Sequence, residues 1–156
     1  MKLAKLLNAD HIILDMKAVE HWPSIVELVE HLVTTEQLPV SEHEEILEAF
    51  RAREESVSTG IGSGVAIPHA FSDHLERVIA VFGRSKAGID FEALDGEPVD
   101  LIFLLSGPET AQPTHLPVLA RLVRLLHHDD VLTGLRGAAT AQAVLKTLKD
   151  AEQHHA

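Results

Sequence analysis

Apolar residues recur every three or four positions in some stretches of the chain and crowd into short unbroken runs in others. Leu3, Leu6 and Leu7 have helical spacing, residues 12–14 form a short β-prone run, and Ile25, Val26, Val29, Leu32 and Val33 draw one apolar stripe on a helix that Pro23 opens. Pro39 closes that unit. Ser41 followed three residues later by Glu44 is a capping-box pattern ahead of Ile46, Leu47 and Phe50, and it predicts a second helix over about 42–53. Residues 56–64 then carry Ser56, Ser58, Thr59, Gly60, Gly62, Ser63 and Gly64, a composition that predicts a loop. Residues 65–67 read as a brief strand ended by Pro68, which delivers His69 as the chain leaves that strand.

Further on, residues 78–82 read as a strand, Asp95-Gly96 as a turn, and residues 99–105 as the most buried strand, bounded by Gly107 and Pro108. Thr114 can cap a third helix holding Leu116, Leu119, Ala120, Val123 and Leu126, and Thr140 a last one holding Val144, Leu145 and Leu148. Helices, then strands, then helices again predict a single-domain α/β fold, a mixed β-sheet sandwiched by helices. It should occupy residues 1–150, with a polar, disordered tail over 151–156. No strand–helix–strand alternation fits between residues 65 and 105, so at least one strand pair there should be antiparallel.

Composition narrows the chemistry. A chain of 156 residues buries roughly 70% of its unfolded surface, enough for a core without staples. There is no cysteine to provide disulfides, thiolate catalysis or zinc-finger ligands. With 13 basic and 24 acidic side chains the formal charge is −11, which argues against the basic stripe that nucleic-acid binding needs, so no nucleic-acid partner is expected. The first residues lack the features of an export signal, and no run approaches the roughly 20 apolar residues of a membrane span, so neither export nor membrane insertion is expected.

Among eleven histidines, His69 stands apart because Ser58, Thr59, Gly60, Gly62, Ser63 and Gly64 precede it and Pro68 stiffens its presentation. Two readings remain open at this level. The glycines could shape a tight turn beside a solvated histidine, or their N–H groups could cradle an anion next to a nucleophilic imidazole. The loop lacks the Gly-Lys-Ser/Thr of a P-loop and the spacing of a dinucleotide fingerprint. Arg53 reads either as a dipole partner at a helix end or as a bidentate clamp on phosphoryl oxygens. His115, one residue after Thr114, reads either as a first-turn packing residue or as a group facing an anion at a helix N-terminus. His127-His128-Asp129-Asp130 and the pair His69 and His74 have no tight ligand spacing, and a charged helix end is the preferred reading of the former. His154 and His155 fall in the polar tail. His11, His21, His31 and His43 show no mutual spacing that marks a site.

The run Arg53-Glu54-Glu55-Ser56-Val57-Ser58-Thr59-Gly60-Ile61-Gly62-Ser63-Gly64-Val65-Ala66-Ile67-Pro68-His69 closely resembles the active-site signature of enzyme IIA domains of the bacterial phosphoenolpyruvate-dependent phosphotransferase system, in the fructose, mannitol and nitrogen-regulatory (type 2) class. Gly88-Ile89-Asp90-Phe91, Asp95-Gly96-Glu97-Pro98-Val99 and His115-Leu116-Pro117-Val118-Leu119-Ala120 follow in that family's order, so the resemblance spans roughly residues 1–150; Ala70 stands where many members carry glycine. The resemblance implies the phosphotransferase/anion-transport-protein fold. It implies His69 as the phosphoryl acceptor, Arg53 and His115 at the same site, and Ser58, Thr59, Gly60, Gly62, Ser63 and Gly64 as a phosphoryl-contact loop, with no cofactor and no metal. The implied function is a cytoplasmic phosphocarrier that takes a phosphoryl group from a phosphohistidine on an HPr-like protein and passes it to an enzyme IIB-type acceptor in sugar uptake. Alternatively, phosphorylation of His69 controls binding to a transporter, kinase or other target, as in the nitrogen-regulatory branch.

Overall fold

The computed structural model of the chain describes residues 3–56 and 58–155, with the side chains at positions 4, 111, 112, 114 and 115 outside that description. Helix α1 (Leu3–Leu6) leads through a 3-10 turn at Ala9–His11 into strand β1 (Ile12–Ile13). Helices α2 (His21–Thr34) and α3 (His43–Ser56) follow, then short strands β2 (Gly60–Gly62), β3 (Val65–Ala66) and β4 (His69–Phe71). The long strands β5 (Ile79–Ile89) and β6 (Val99–Gly107) precede helices α4 (Gln112–Leu125), α5 (Asp129–Gly137) and α6 (Ala141–His154).

The sheet runs β1-β5-β6-β3-β2, with β4 also paired to β6. β5 and β6 are antiparallel, while β6 takes β3 and β4 in parallel, one after the other along the same edge. This is the mixed sheet that the order of elements predicts. Pro68 lies between the two short strands; it has no N–H to give the ladder, but its carbonyl accepts from Leu105 N–H at 3.0 Å and keeps the chain in register.

Helices cover both faces. Leu101, Phe103 and Leu105 of β6 point into a core with Leu122 and Leu125 of α4, Leu135 of α5 and Leu148 of α6. Ile102 and Leu104 point the other way, onto Ile25, Leu28 and Leu32 of α2 and Ile46 and Phe50 of α3. The period-two pleat splits one continuous apolar run between two cores, which is why that run shows no polar alternation. Arg84 on β5 crosses to the end of α5, donating from Nη1 to the carbonyl oxygens of Leu135 at 3.1 Å and Ala138 at 2.6 Å; a buried cation thus satisfies acceptors that the helix leaves open. Among the described residues no helix is long and apolar enough to cross a membrane.

Several local expectations change. The 3-10 turn Val40–Glu42 runs straight into α3, so Ser41 lies within that turn. Arg53 does not close α3, which continues to Ser56. The glycine-rich segment is a hairpin rather than a loop: Gly62, Ser63 and Gly64 take φ of 95°, 57° and 80°, and this left-handed tip folds β2 back on β3. Helix α4 begins two residues before Thr114, whose cap falls outside the described side chains. Thr140 does cap α6, accepting from Ala143 N–H at 3.1 Å. The tail expected over 151–156 stays helical through His154, because Ala151 and Glu152 face inward and Glu152 Oε2 accepts from Leu3 N–H at 3.0 Å.

Candidate functional site

His69 opens β4 and pairs with Leu105 of β6, so it shares the sheet face that α4 covers; Ala70 next to it turns into the core against α2 and α3. Its Nδ1 lies 2.8 Å from the Ile67 carbonyl oxygen. A carbonyl only accepts, so Nδ1 carries the proton and Nε2 keeps its lone pair. The ring is half-buried, and desolvation pulls its pKa below the ordinary imidazole value. The Ile67 carbonyl opposes this, while the positive charge of Arg53 lowers the pKa further and the Glu54 carboxylate raises it. The balance leaves a neutral imidazole near pH 7, with one nitrogen free for nucleophilic attack.

Arg53 reaches this site through the packing of α3 against β4. Its neighbour Glu54, overlooked in the sequence reading, is a buried carboxylate that accepts from Thr59 N–H at 3.2 Å, from the Thr59 hydroxyl, and from His21 Nε2–H at 2.8 Å. The Thr59 carbonyl accepts from Ile67 N–H at 3.0 Å, and the Ile67 carbonyl holds His69. One chain of bonds therefore runs His21–Glu54–Thr59–Ile67–His69. Burial raises the Glu54 pKa, but the hydrogen bonds from His21 and Thr59 and the His21 charge outweigh it and hold the carboxyl below its ordinary value. Burial lowers the His21 pKa, and Glu54, helped by Glu92, raises it by more. Both shifts favour the ion-paired form of the pair, and the His21 ring lies against Phe91 at a centroid distance of 4.1 Å, tilted by 38°. A signal for Glu54 exists in the sequence: Ile46, Phe50 and Glu54 are spaced four apart, which puts the carboxylate on the buried stripe of α3.

The glycine-rich segment divides in two. Its early half lies with the bonds to His69: Thr59 as above, and Ser58, whose hydroxyl donates to the Phe91 carbonyl at 3.1 Å while accepting from Gly60 N–H at 3.2 Å. Its tip is elsewhere. Arg136 Nη2 donates to the Ser63 carbonyl at 2.6 Å and pairs with Asp100 through both Nε and Nη2, at 2.7 and 2.9 Å. The Gly64 carbonyl accepts from Asp100 and Leu101 N–H groups. His69 pairs with Leu105, four residues further along β6, or about 13 Å at 3.3 Å per residue. Gly62, Ser63 and Gly64, expected against the phosphoryl group, instead form a structural turn at the opposite end of the strand.

His115 is the fourth residue of α4; its side chain lies outside the described residues, but its backbone belongs to the first turn of the helix covering His69's face. Leu116 beside it is 61% exposed.

The family model described as "Phosphoenolpyruvate-dependent sugar phosphotransferase system, EIIA 2" matches residues 5–151. The chain belongs to that EIIA family. A nitrogen regulatory protein of Bradyrhizobium diazoefficiens is 45% identical over 66% of this chain and 67% of its own. The fructose-specific EIIABC component of Bacillus subtilis is 37% identical over 93% of this chain, which spans 22% of that longer relative. The crystal structure of the nitrogen regulatory protein IIA-Ntr from Neisseria meningitidis superposes with a TM-score of 0.85 at 33% identity, covering 94% of this chain and 98% of that one. EIIA membership thus includes both sugar-transport and nitrogen-regulatory relatives.

Proposed function

We propose that His69 is the phosphoryl acceptor of this EIIA domain and that Nε2 is the nitrogen modified. The observation that carries the proposal is the 2.8 Å contact of Nδ1 with the Ile67 carbonyl, which fixes the tautomer and leaves Nε2 as the nucleophile. In the reaction the Nε2 lone pair forms a bond to phosphorus as the bond between phosphorus and the donor's imidazole nitrogen breaks, and the donor nitrogen recovers its lone pair. His69 keeps its Nδ1 proton, and the positive charge that develops on the ring is stabilised by the Ile67 carbonyl. Transfer between two imidazoles is close to isoenergetic, so the protein's task is to align nitrogens and neutralise oxygens. Arg53 supplies a delocalised cation, and the N–H groups opening α4, with His115, supply donors. The donor is a phosphohistidine on a small HPr-like protein, and the reading places the chain in the cytoplasm with that donor. Exposed Leu116, beside His115, offers an apolar contact to a docking protein.

For the acceptor, an enzyme IIB domain is supported by the family's sugar-phosphotransferase description and by the EIIABC relative, and this is the principal reading: a carrier in sugar uptake. The nitrogen-regulatory relatives support a second, in which phosphorylation of His69 alters binding to a transporter, kinase or other target.

The test is incubation with phosphoenolpyruvate, enzyme I and an HPr-like carrier. An acid-labile, base-stable adduct on His69, lost in His69→Ala, is expected; a label on His115, or undiminished labelling of His69→Ala, overturns the assignment. Onward transfer to a IIB domain favours the carrier, and target binding that changes on phosphorylation without onward transfer favours the regulator.

A further inference from the structure

His155, unconnected to any partner in the sequence, meets the start of α5 in space. His128 is the N-cap residue of α5 and Asp130 stands in its first turn, while His155 is the C-cap residue of α6. The two imidazole rings stack at a centroid distance of 3.7 Å with 14° between their planes, and His155 Nε2 lies 3.3 Å from Asp130 Oδ2. One ligand atom from each of the three residues falls within 4.8 Å of the other two. None of them lies on an element that carries His69, Arg53 or His115.

We propose that His128, Asp130 and His155 bind one borderline divalent cation, with Zn2+ as the representative ion. The donor set is two imidazoles and a carboxylate, which suits Zn2+ and its late first-row neighbours over Mg2+ or Ca2+. The spacing fits as well. A cation about 2.05 Å from both His155 Nε2 and Asp130 Oδ2, at their 3.3 Å separation, subtends an angle of about 107°, close to tetrahedral. Tetrahedral ligands at that bond length stand about 3.4 Å apart, so the widest donor pair closes by at most about 1.5 Å, within reach of a χ rotation of the exposed His128. His155 also lines a cavity of about 210 Å³ with Asp130, Thr147 and Asp150, room for water to complete the coordination shell.

A second cluster, Glu42, Glu45 and His74, has a single imidazole, and its Nε2 already lies 2.6 Å from Glu45. It serves as the control. Occupation of the C-terminal site would pin the start of α5 to the end of α6, so binding reads out as stability of this layer.

The experiment is calorimetric titration of the metal-free full chain with Zn2+ near pH 7.5, paired with thermal unfolding and with the visible absorption of bound Co2+. One-site binding is expected, weakened at least about tenfold by His128→Ala and by His155→Ala and unchanged by His74→Ala. Zn2+ should raise the unfolding midpoint of the wild type by several degrees and leave His155→Ala unmoved. His128 and Asp130 are exposed and His155 is partly so, so the variants should stay folded, and the midpoint of each without metal is the reference that separates lost binding from lost folding. Wild-type Zn2+ affinity in both histidine variants, or no one-site binding by the wild type at millimolar Zn2+, overturns the proposal.

Discussion

Replacing Glu54 with Gln tests whether the His21–Glu54–Thr59 network holds the segment leading to His69. The carboxylate side chain is 5% exposed and accepts from three donors: the Thr59 amide, the Thr59 hydroxyl and His21 Nε2–H. Gln keeps one acceptor oxygen and turns an NH2 group toward at least one of those donors. A hydrogen bond to a charged group contributes about 1.5–3 kcal/mol, and removing one partner of a buried ion pair costs about 3–5 kcal/mol. With part of the bonding kept by the amide oxygen, the loss near pH 6 should be about 3 kcal/mol, or about 6–12 °C in unfolding midpoint for a chain of this size.

The pH profile is the more specific signature. His21 has a raised folded pKa, so its contribution is fully present below its unfolded value of 6.5 and fades as pH rises through the folded value. Glu54 has a lowered one, so its contribution is present above 4.5 and fades as pH falls through the folded value. Urea unfolding from pH 4 to 9 should therefore show the wild type gaining most over Glu54→Gln between about pH 4.5 and 6.5, with the gap narrowing on either side. A His21→Gln/Glu54→Gln cycle should show strong coupling inside that window. A loss below about 1 kcal/mol at pH 6, or a gap that does not vary with pH, would refute the reasoning.

Because burial and Arg53 lower the His69 pKa, phosphoryl acceptance should keep its rate on the acid side to pH values below 6.5; a single-turnover rate half lost at 6.5 would contradict this. Arg53→Lys keeps the charge but loses the planar fork, and quench-flow transfer should slow roughly tenfold to a thousandfold, with unchanged rates reducing Arg53 to a helix-end cation. His115→Ala should still become phosphorylated on His69 but pass the group on slowly, and His115→Gln should restore part of that step; wild-type onward transfer by the Ala variant would make His115 a packing residue.

Much of the architecture was legible because its signals are local. The stripe on α2 follows from residues three and four apart, and the β6 run has no polar break because both faces of that strand are buried. What escaped depends on partners distant in the chain. His21 and Glu54 are 33 residues apart, and Glu152 holds the amide of Leu3 across 149, so neither the buried ion pair nor the ordered end of α6 has a local pattern. Helix α5 was missed because its nine residues include Gly134 and Gly137 and open on a His-Asp run that reads as polar surface; Arg84, arriving from β5, satisfies its last carbonyls. The glycine tip was misassigned for another reason. Glycines that admit positive φ for a hairpin and glycines that expose N–H groups to an anion look the same in sequence, and only Arg136 and Asp100 at the tip tell them apart.

β6 is hydrogen-bonded along both edges, to β5 on one side and to β3 and then β4 on the other. Amides in such a strand exchange with solvent only when the whole domain opens, whereas two-residue β1 and four-residue α1 can fray alone. His69 is zipped to that slowest-exchanging strand, one residue after a proline. The nitrogen that is proposed to meet two differently shaped proteins in turn is therefore mounted on the least compliant part of the molecule. Adaptation to each falls to side chains around it and to the partners themselves, and deuterium uptake at β4 should hardly change when either one docks.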